Sequence, residues 1–301
     1  MRGLIPESGM LRPRRPVEVR VAFWGLWHFT RKKPLGAVSA FILVVLIVSA
    51  VAAPLLAPYE PTRVALGPSF AAPSLSHPMG LNDIGQDVLS RVIWGGRTSL
   101  GIGLTSTTLA LLLGTIVGLT TGYLGGKLDL IAQRGIDSMI VFPPLILALV
   151  LMAVLGQNAL NITLAIAFTF APRMSRVVRS AVLSIKEEPY VEAARAIGCS
   201  TARILFRHLL PNVFGNLIVL ATLTLGTAIV IEASLSFLGI GSSPAVPSWG
   251  RMLSGAATDY LRESPHLAIF PGLAISLTVL SVNFLGDALR DILDPRLRGI
   301  T

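Results

Sequence analysis

The sequence predicts an all-α integral membrane protein with six transmembrane helices, and three observations carry that expectation. The chain of 301 residues is 52% hydrophobic and only 14% charged, where an ordinary soluble domain is about a quarter charged. Apolar stretches close to the twenty residues needed to cross a bilayer recur along it. Lysine and arginine are divided unevenly among the segments that join those stretches. The net charge of +9 therefore reports membrane orientation. It does not point to nucleic acid, which calls for a basic groove or an array of stacking aromatics.

Residues 1–33 form a basic tail with eight Lys/Arg and two Glu, rich in Pro and Arg and expected to hold little fixed structure. Residues 34–97 form a second unit. Its apolar run from Leu35 to Ala57 is 23 residues, ~34 Å as a helix. Ala50 and Ala52 have the spacing of a signal-peptidase site, but the basic region is too long and further spans follow, so the run is predicted to stay as an uncleaved first span. An outer loop follows, punctuated by Pro and Gly. Near its end Val88, Leu89, Val92 and Ile93 recur at helical spacing, which predicts a short amphipathic helix at the interface, with Trp94 at headgroup depth.

Residues 98–290 carry the remaining five spans. The second, Thr98 to Tyr123, places Gly114, Gly118 and Gly122 four apart, along one side of a helix where another backbone can approach closely. That approach fits packing within the chain or a helix contact in a dimer. A short turn with Lys127 and Arg134 leads to a third span, Ile136 to Leu155, which the Pro143–Pro144 pair must bend. A fourth runs from Leu160 to Pro172, and Arg173, Arg176 and Arg179 mark the exit into water. A fifth covers Val213 to Leu238. A loop rich in Gly, Ser and Pro, with Trp249, leads to the sixth, Leu267 to Leu285, and residues 291–301 end the chain. With six spans and the N-terminus inside, the inner segments hold 20 of the 25 Lys/Arg. The outer ones hold five, Arg63, Arg91, Arg97, Arg251 and Arg262. This is a positive-inside pattern that places both termini and the polar segment 186–211 in the cytoplasm.

That segment is predicted to form two short helices. Pro189 suits a first turn, where a missing N–H costs nothing, and Glu187 and Glu188 favour the positive end. Ala193, Ala194 and Ala196 keep the helix slim enough to enter a cleft on a partner. Gly198 ends it, Ser200 caps the next, and Pro211 is expected to stop that second helix before the fifth span. A solvated hairpin without a partner is the alternative.

Polar residues inside the spans are functional candidates by default. Glu232 lies near the outer end of the fifth span, where pairing within the bundle and contact with cargo are equally compatible with its position. Asn283 and Asp287 lie along the inner half of the sixth, where Asp287, Arg290 and Asp291 are expected to form an ion-pair cluster. Cys199 is the only cysteine, so no internal disulfide exists, and the four histidines have no metal-ligand spacing. An in-chain ATP motor is excluded. Gly126-Lys127 is followed by Leu128, and Thr121 stands where a phosphate-binding loop needs its first glycine.

EAARAIG followed by HLLP, Glu192 to Gly198 and His208 to Pro211, resembles the EAA loop of ABC-type importer permeases. Glu192, Ala193, Ala194, Gly198, Leu210 and Pro211 match at the family's spacing, and His208 replaces its isoleucine. HPMG…GQDVLSR (His77 to Arg91), EASLSFLGIG (Glu232 to Gly241), PSWGRML (Pro247 to Leu253) and NFLGDALRDILDPR (Asn283 to Arg296) are similar to segments of the dipeptide, oligopeptide and nickel permeases, in their second-subunit branch. Leu81, Asn82 and Gln86 depart from that branch's usual Thr, Asp and Arg. The resemblance implies a type I importer core preceded by one extra N-terminal span, located in a prokaryotic inner membrane and surrounded by lipid. It implies a heterodimer with a homologous permease subunit, two ATP-binding subunits that use ATP and Mg, and an extracytoplasmic solute-binding protein. The chain itself would be non-catalytic, with no cofactor and no metal. Glu192 to Pro211 would be the coupling loop, with Glu192 making a charge-assisted contact. Peptides lead among cargoes, with nickel complexes and oligosaccharides behind. An ion-driven secondary transporter, the reading from another class, needs broken helices in repeated halves, and only Pro143–Pro144 interrupts a span.

Overall fold

The computed structural model describes residues 33–241, 246–258 and 260–293. Most of the basic tail, together with Arg296 and Arg298, lies outside the described residues. The first helix, α1 (Pro34–Val51), opens with a proline in its first turn and breaks at Ala52 before a short α2 (Ala53–Leu56). An irregular segment then leads to α3 (Val88–Leu124), 37 residues long. Asp87 caps it, the carboxylate accepting from Ser90 N at 2.8 Å, and Gly125 ends it at φ 64°. The anticipated interfacial helix near Val88 is therefore no separate element. It is the first two to three turns of α3, because nothing between Trp94 and Thr98 breaks helical geometry.

The turn expected at Lys127 to Arg134 is helical, part of α4 (Gly126–Ile140). After it the chain bends by 98° into α5 (Pro144–Leu155). The proline pair therefore does more than curve a third span: it divides the span into two arms. Pro143 disfavours helical geometry at Phe142, and Pro144 then opens α5 as a first-turn residue. α6 (Ala159–Ile185) is capped by Asn158 and carries Pro172 internally. It runs straight past Arg173, Arg176 and Arg179.

α7 (Pro189–Ala196) and α8 (Thr201–Arg203) follow, then a π-helical turn at Ile204–Leu209 that passes directly into α9 (Leu210–Phe237). Pro211 thus does not separate the second loop helix from the fifth span. A proline ring clashes with the carbonyl four residues back, and the widened π turn before it lets the helix continue. The Trp249 loop contains a further helix, α10 (Trp249–Thr258), and α11 (His266–Leu293) completes the described chain.

Among the described residues four helices are long and apolar enough to cross a membrane, or five if the bent α4–α5 pair counts as one span, against the six expected. α6 is the difference: only 14 residues precede Arg173 in it, ~21 Å of helix. The bundle centres on α3, which packs most extensively on α6 and also meets α9 and α1, while α11 joins α9 to α1. One apolar core, with Ile102, Ile166, Phe170 and Leu235, lies along the middle of α3. A second, with Leu119, Val182, Ile204 and Leu209, lies at its Leu124 end. Phe41, Val51, Ile131 and Val154 face outward on the helix rims, the disposition of side chains that contact lipid.

Candidate functional site

The second core reaches into the polar loop. Val191 and Ala194, three apart on α7, are buried beside Ile204, Leu205 and Leu209 of the π turn. One face of the slim helix is therefore fixed to the bundle. Its end is a Schellman arrangement: Gly198 N donates to Arg195 O at 2.9 Å and Cys199 N to Ala194 O at 3.0 Å. Gly198 sits at φ 78°, with open space where a Cβ would stand. The glycine is there for its left-handed backbone. Ser200 Oγ then accepts from Arg203 N at 3.4 Å, capping α8.

Two side chains staple this loop to the spans, and neither was singled out from sequence. The Arg195 guanidinium lies 5.0 Å from the Tyr123 ring centre at the end of α3 and donates to its hydroxyl at 3.3 Å. Tyr190 Oη accepts from Asn212 Nδ2 of α9 at 3.1 Å, and its ring stands 6.4 Å from that of His208. Partial burial, then the Glu188 charge, raises the Tyr190 phenol above its ordinary value, so it stays neutral across the physiological range. Arg195 and Asn212 carry no periodicity signal that distinguishes them from solvated residues, which is why sequence reasoning passed over them.

The opposite face of the loop is open. Glu192 is exposed and its side chain makes no hydrogen bond or ion pair among the described residues. Ala193, Ala196 and Pro211 are exposed as well, and Leu210 is half-buried against the second core. Ile197 is 80% exposed and Phe206 64% exposed. A carboxylate, small residues and two bare apolar side chains thus share one projecting loop. Ile197 and Phe206 also escaped the sequence reading, because only the fold reveals which apolar residues remain uncovered.

The glycine stripe meets α6. A Cβ on Gly114 would stand 2.6 Å from Met174 Cβ, one on Gly118 2.6 Å from Ser175 O, and one on Gly122 3.0 Å from Val182 Cβ. Two ion pairs join α6 to α4 as well. Arg179 donates from Nε and Nη2 to the Asp129 carboxylate, both at 2.6 Å, and Arg176 pairs with Asp137. The arginines read as markers of water exposure therefore also hold α4 across α6.

At the far end, Glu232 is fully buried. Its Oε1 accepts from Ser236 Oγ at 2.8 Å, and Ser99 and Ser248 stand close by. Trp249, also buried, donates from its backbone to Ser99 Oγ at 3.2 Å and from Nε1 to Val92 O at 2.9 Å. Asn283 is half-buried, with its Oδ1 against Gly226 of α9. Asp287 is exposed. The cluster expected at Asp287, Arg290 and Asp291 does not form as such, since Asp291 pairs with Lys33 at the start of α1. Both partners are about 40% exposed, a setting in which an ion pair contributes ~0–1 kcal/mol. Among the described residues no three His, Cys, Asp or Glu side chains converge as a metal site would need.

Comparison with known proteins bears on the same segments. The profile of the binding-protein-dependent transport system inner membrane component family matches residues 83–299. That of the N-terminal TM domain of oligopeptide transport permease C matches residues 23–74. The chain is 39% identical over 286 residues to the glutathione transport system permease protein GsiD of Escherichia coli O1:K1 / APEC, covering 95% of this chain and 94% of that one. It is 40% identical over 268 residues to the dipeptide transport system permease protein DppC of Alkalihalophilus pseudofirmus, covering 89% and 88%. In fold it is similar to a chain of the MetNI methionine ABC transporter solved in an inward facing conformation. The TM-score there is 0.56 at 20% identity, over 68% of this chain and 97% of that one.

Proposed function

The chain belongs to the binding-protein-dependent inner membrane transport components, and from that premise we propose that it carries peptides through the membrane as the permease of an ATP-driven importer. It is a non-catalytic permease subunit of the ABC type. The single observation that carries the mechanism is the divided loop 186–211. One face, through Val191 and Ala194, is built into the second core, while the other presents Glu192, Ile197 and Phe206 to a partner. A push on such a loop moves helices. Its buried face and the Arg195 and Tyr190 staples tie it to α3 and α9, and the π turn makes α8 and α9 one continuous rod. ATP-driven closure of two motor subunits, each seated on such a loop, converts to rotation of the permease helices against a homologous second permease.

Peptide cargo is supported by the names of two relatives, one a glutathione and one a dipeptide permease. Both cargoes are short, carboxylate-bearing and amide-linked. Orientation rests on the charge count, with 20 of the 25 Lys/Arg on the side that holds the loop and both termini. α6 is the remaining pass of a six-pass arrangement, with its short apolar part packed on α3 and α5.

Glu192→Lys tests the reading. Reconstituted with its partners, the variant should insert at normal levels while cargo uptake falls at least about a hundredfold, as loss of a charged contact replaced by repulsion implies. Uptake at the wild-type rate would sink the coupling role.

A further inference from the structure

The apolar run through α1 and α2 ends at Ala57, and the apolar span of α3 begins at Thr98. The fold brings these two boundaries together. A recess of about 750 Å³ lies between them, lined by Pro54, Tyr59, Glu60, Arg63 and Trp94 among others, within the ~300–1,000 Å³ of small-molecule sites. Both walls turn from apolar to polar here, and a half-buried tryptophan stands at the change, which are the marks of headgroup depth in a bilayer. The polar wall is fixed to α3. Tyr59 N donates to Ser90 Oγ at 3.1 Å, and Arg91 Nη1 donates to Pro61 O at 3.0 Å. Arg63 N closes a turn onto Glu60 O at 3.1 Å.

This wall presents both signs of charge. Glu60 and Arg63 are exposed on one turn, and Arg97, also exposed, holds its guanidinium 5.7 Å from the Trp94 ring centre. None of the three makes an ion pair among the described residues. On the apolar side of the turn Val51, Leu55 and Leu56 are bare, Leu55 at 88% exposure. A ligand that answers all of these groups carries a phosphate for the arginines, a cation for Glu60 and acyl chains for the leucines. We infer that the recess holds the headgroup of a zwitterionic phospholipid with a primary ammonium, the phosphate on Arg63 and Arg97 and the ammonium on Glu60. An anionic headgroup without a cation meets repulsion at Glu60. The inference rests on α1 and α3 crossing the membrane and is independent of what the chain transports.

The test uses the full chain, purified in mild detergent with the subunits it retains and offered equal amounts of dioleoyl phosphatidylethanolamine and dioleoyl phosphatidylglycerol. Native mass spectrometry counts the lipid that stays bound. The wild type should retain the ethanolamine lipid over the glycerol lipid by about fivefold, the scale of one exposed charge pair. Glu60→Gln should bring that ratio to about one, and Glu60→Arg should invert it, a gain that loss of folding cannot produce. Arg63→Gln combined with Arg97→Gln should lower retention of both lipids about fivefold. Equal retention of the two lipids by the wild type overturns the inference, as does a wild-type ratio kept by Glu60→Arg. So does displacement of the bound lipid by an equimolar amount of glycerophosphoethanolamine, since the recess then takes a soluble phosphate and not a lipid.

Discussion

The two ends of this bundle are packed by opposite rules. Around Trp249 four described glycines are committed to neighbours within the chain. Gly95 and Gly96 lie against the indole, a Cβ on Gly250 would stand 2.2 Å from Ala233 O, and one on Gly241 would stand 2.7 Å from Ser236 Oγ. Around Gly198, at the other end, a Cβ would meet nothing within 4 Å, and Ile197 beside it is bare. One region is finished by its own sequence. The other is complete on one face only, which is the form of a surface made for a second protein. These glycines draw the same line: Gly95, Gly96, Gly241 and Gly250 are needed for room, and Gly198 for its positive φ.

The largest effect that can break this contrast is at Gly250. Gly250→Val forces a branched side chain into the Ala233 backbone, a rigid group that cannot turn aside, so α10 should detach from α9. Folded, detergent-stable protein should fall below about a tenth of the wild-type yield, as overpacking of several kcal/mol implies. Near-normal yield and melting temperature would show that the outer end is as yielding as the inner one. The smallest effect is at Gly198. Gly198→Ala places a Cβ in left-handed backbone at a cost of ~1–2 kcal/mol, in open space, and so should leave yield unchanged. The change should loosen the end of α7 and lower cargo-stimulated ATP hydrolysis a few-fold. Equal losses of yield at both glycines would erase the distinction between them.

Much of this was legible in the residues. The membrane class followed from composition, the loop from its polarity, and the family resemblance from the spacing of Glu192, Gly198 and Pro211. The end of α7 at Gly198 and the cap at Ser200 were also readable, because both are local rules of backbone geometry. What escaped depended on surroundings. Residues 127–134 read as a turn because they are polar, yet they form a helix whose acidic residues are matched by Arg176 and Arg179, 39 to 50 positions away. Pro211 read as a stop because proline rules assume an α-helix, and a π turn relaxes them. The Trp249 segment read as a loop because its Gly and Pro content hides a ten-residue helix that tertiary contacts stabilise. Asp291 was assigned to Arg290 by nearness in sequence, whereas the fold brings Lys33 to it.

A coupling loop must hold its open face on the cytoplasmic side of the membrane and have it covered by the ATPase. Ile197, 80% exposed, is the place to ask, and Cys199, the only native cysteine, can be removed first. In Cys199→Ser/Ile197→Cys protein, a membrane-impermeant maleimide should leave intact cells unlabelled and react readily in inside-out vesicles stripped of the ATPase. Adding the ATPase back should slow that reaction at least about tenfold. Labelling from the outside of intact cells, or a rate indifferent to the ATPase, would contradict the account.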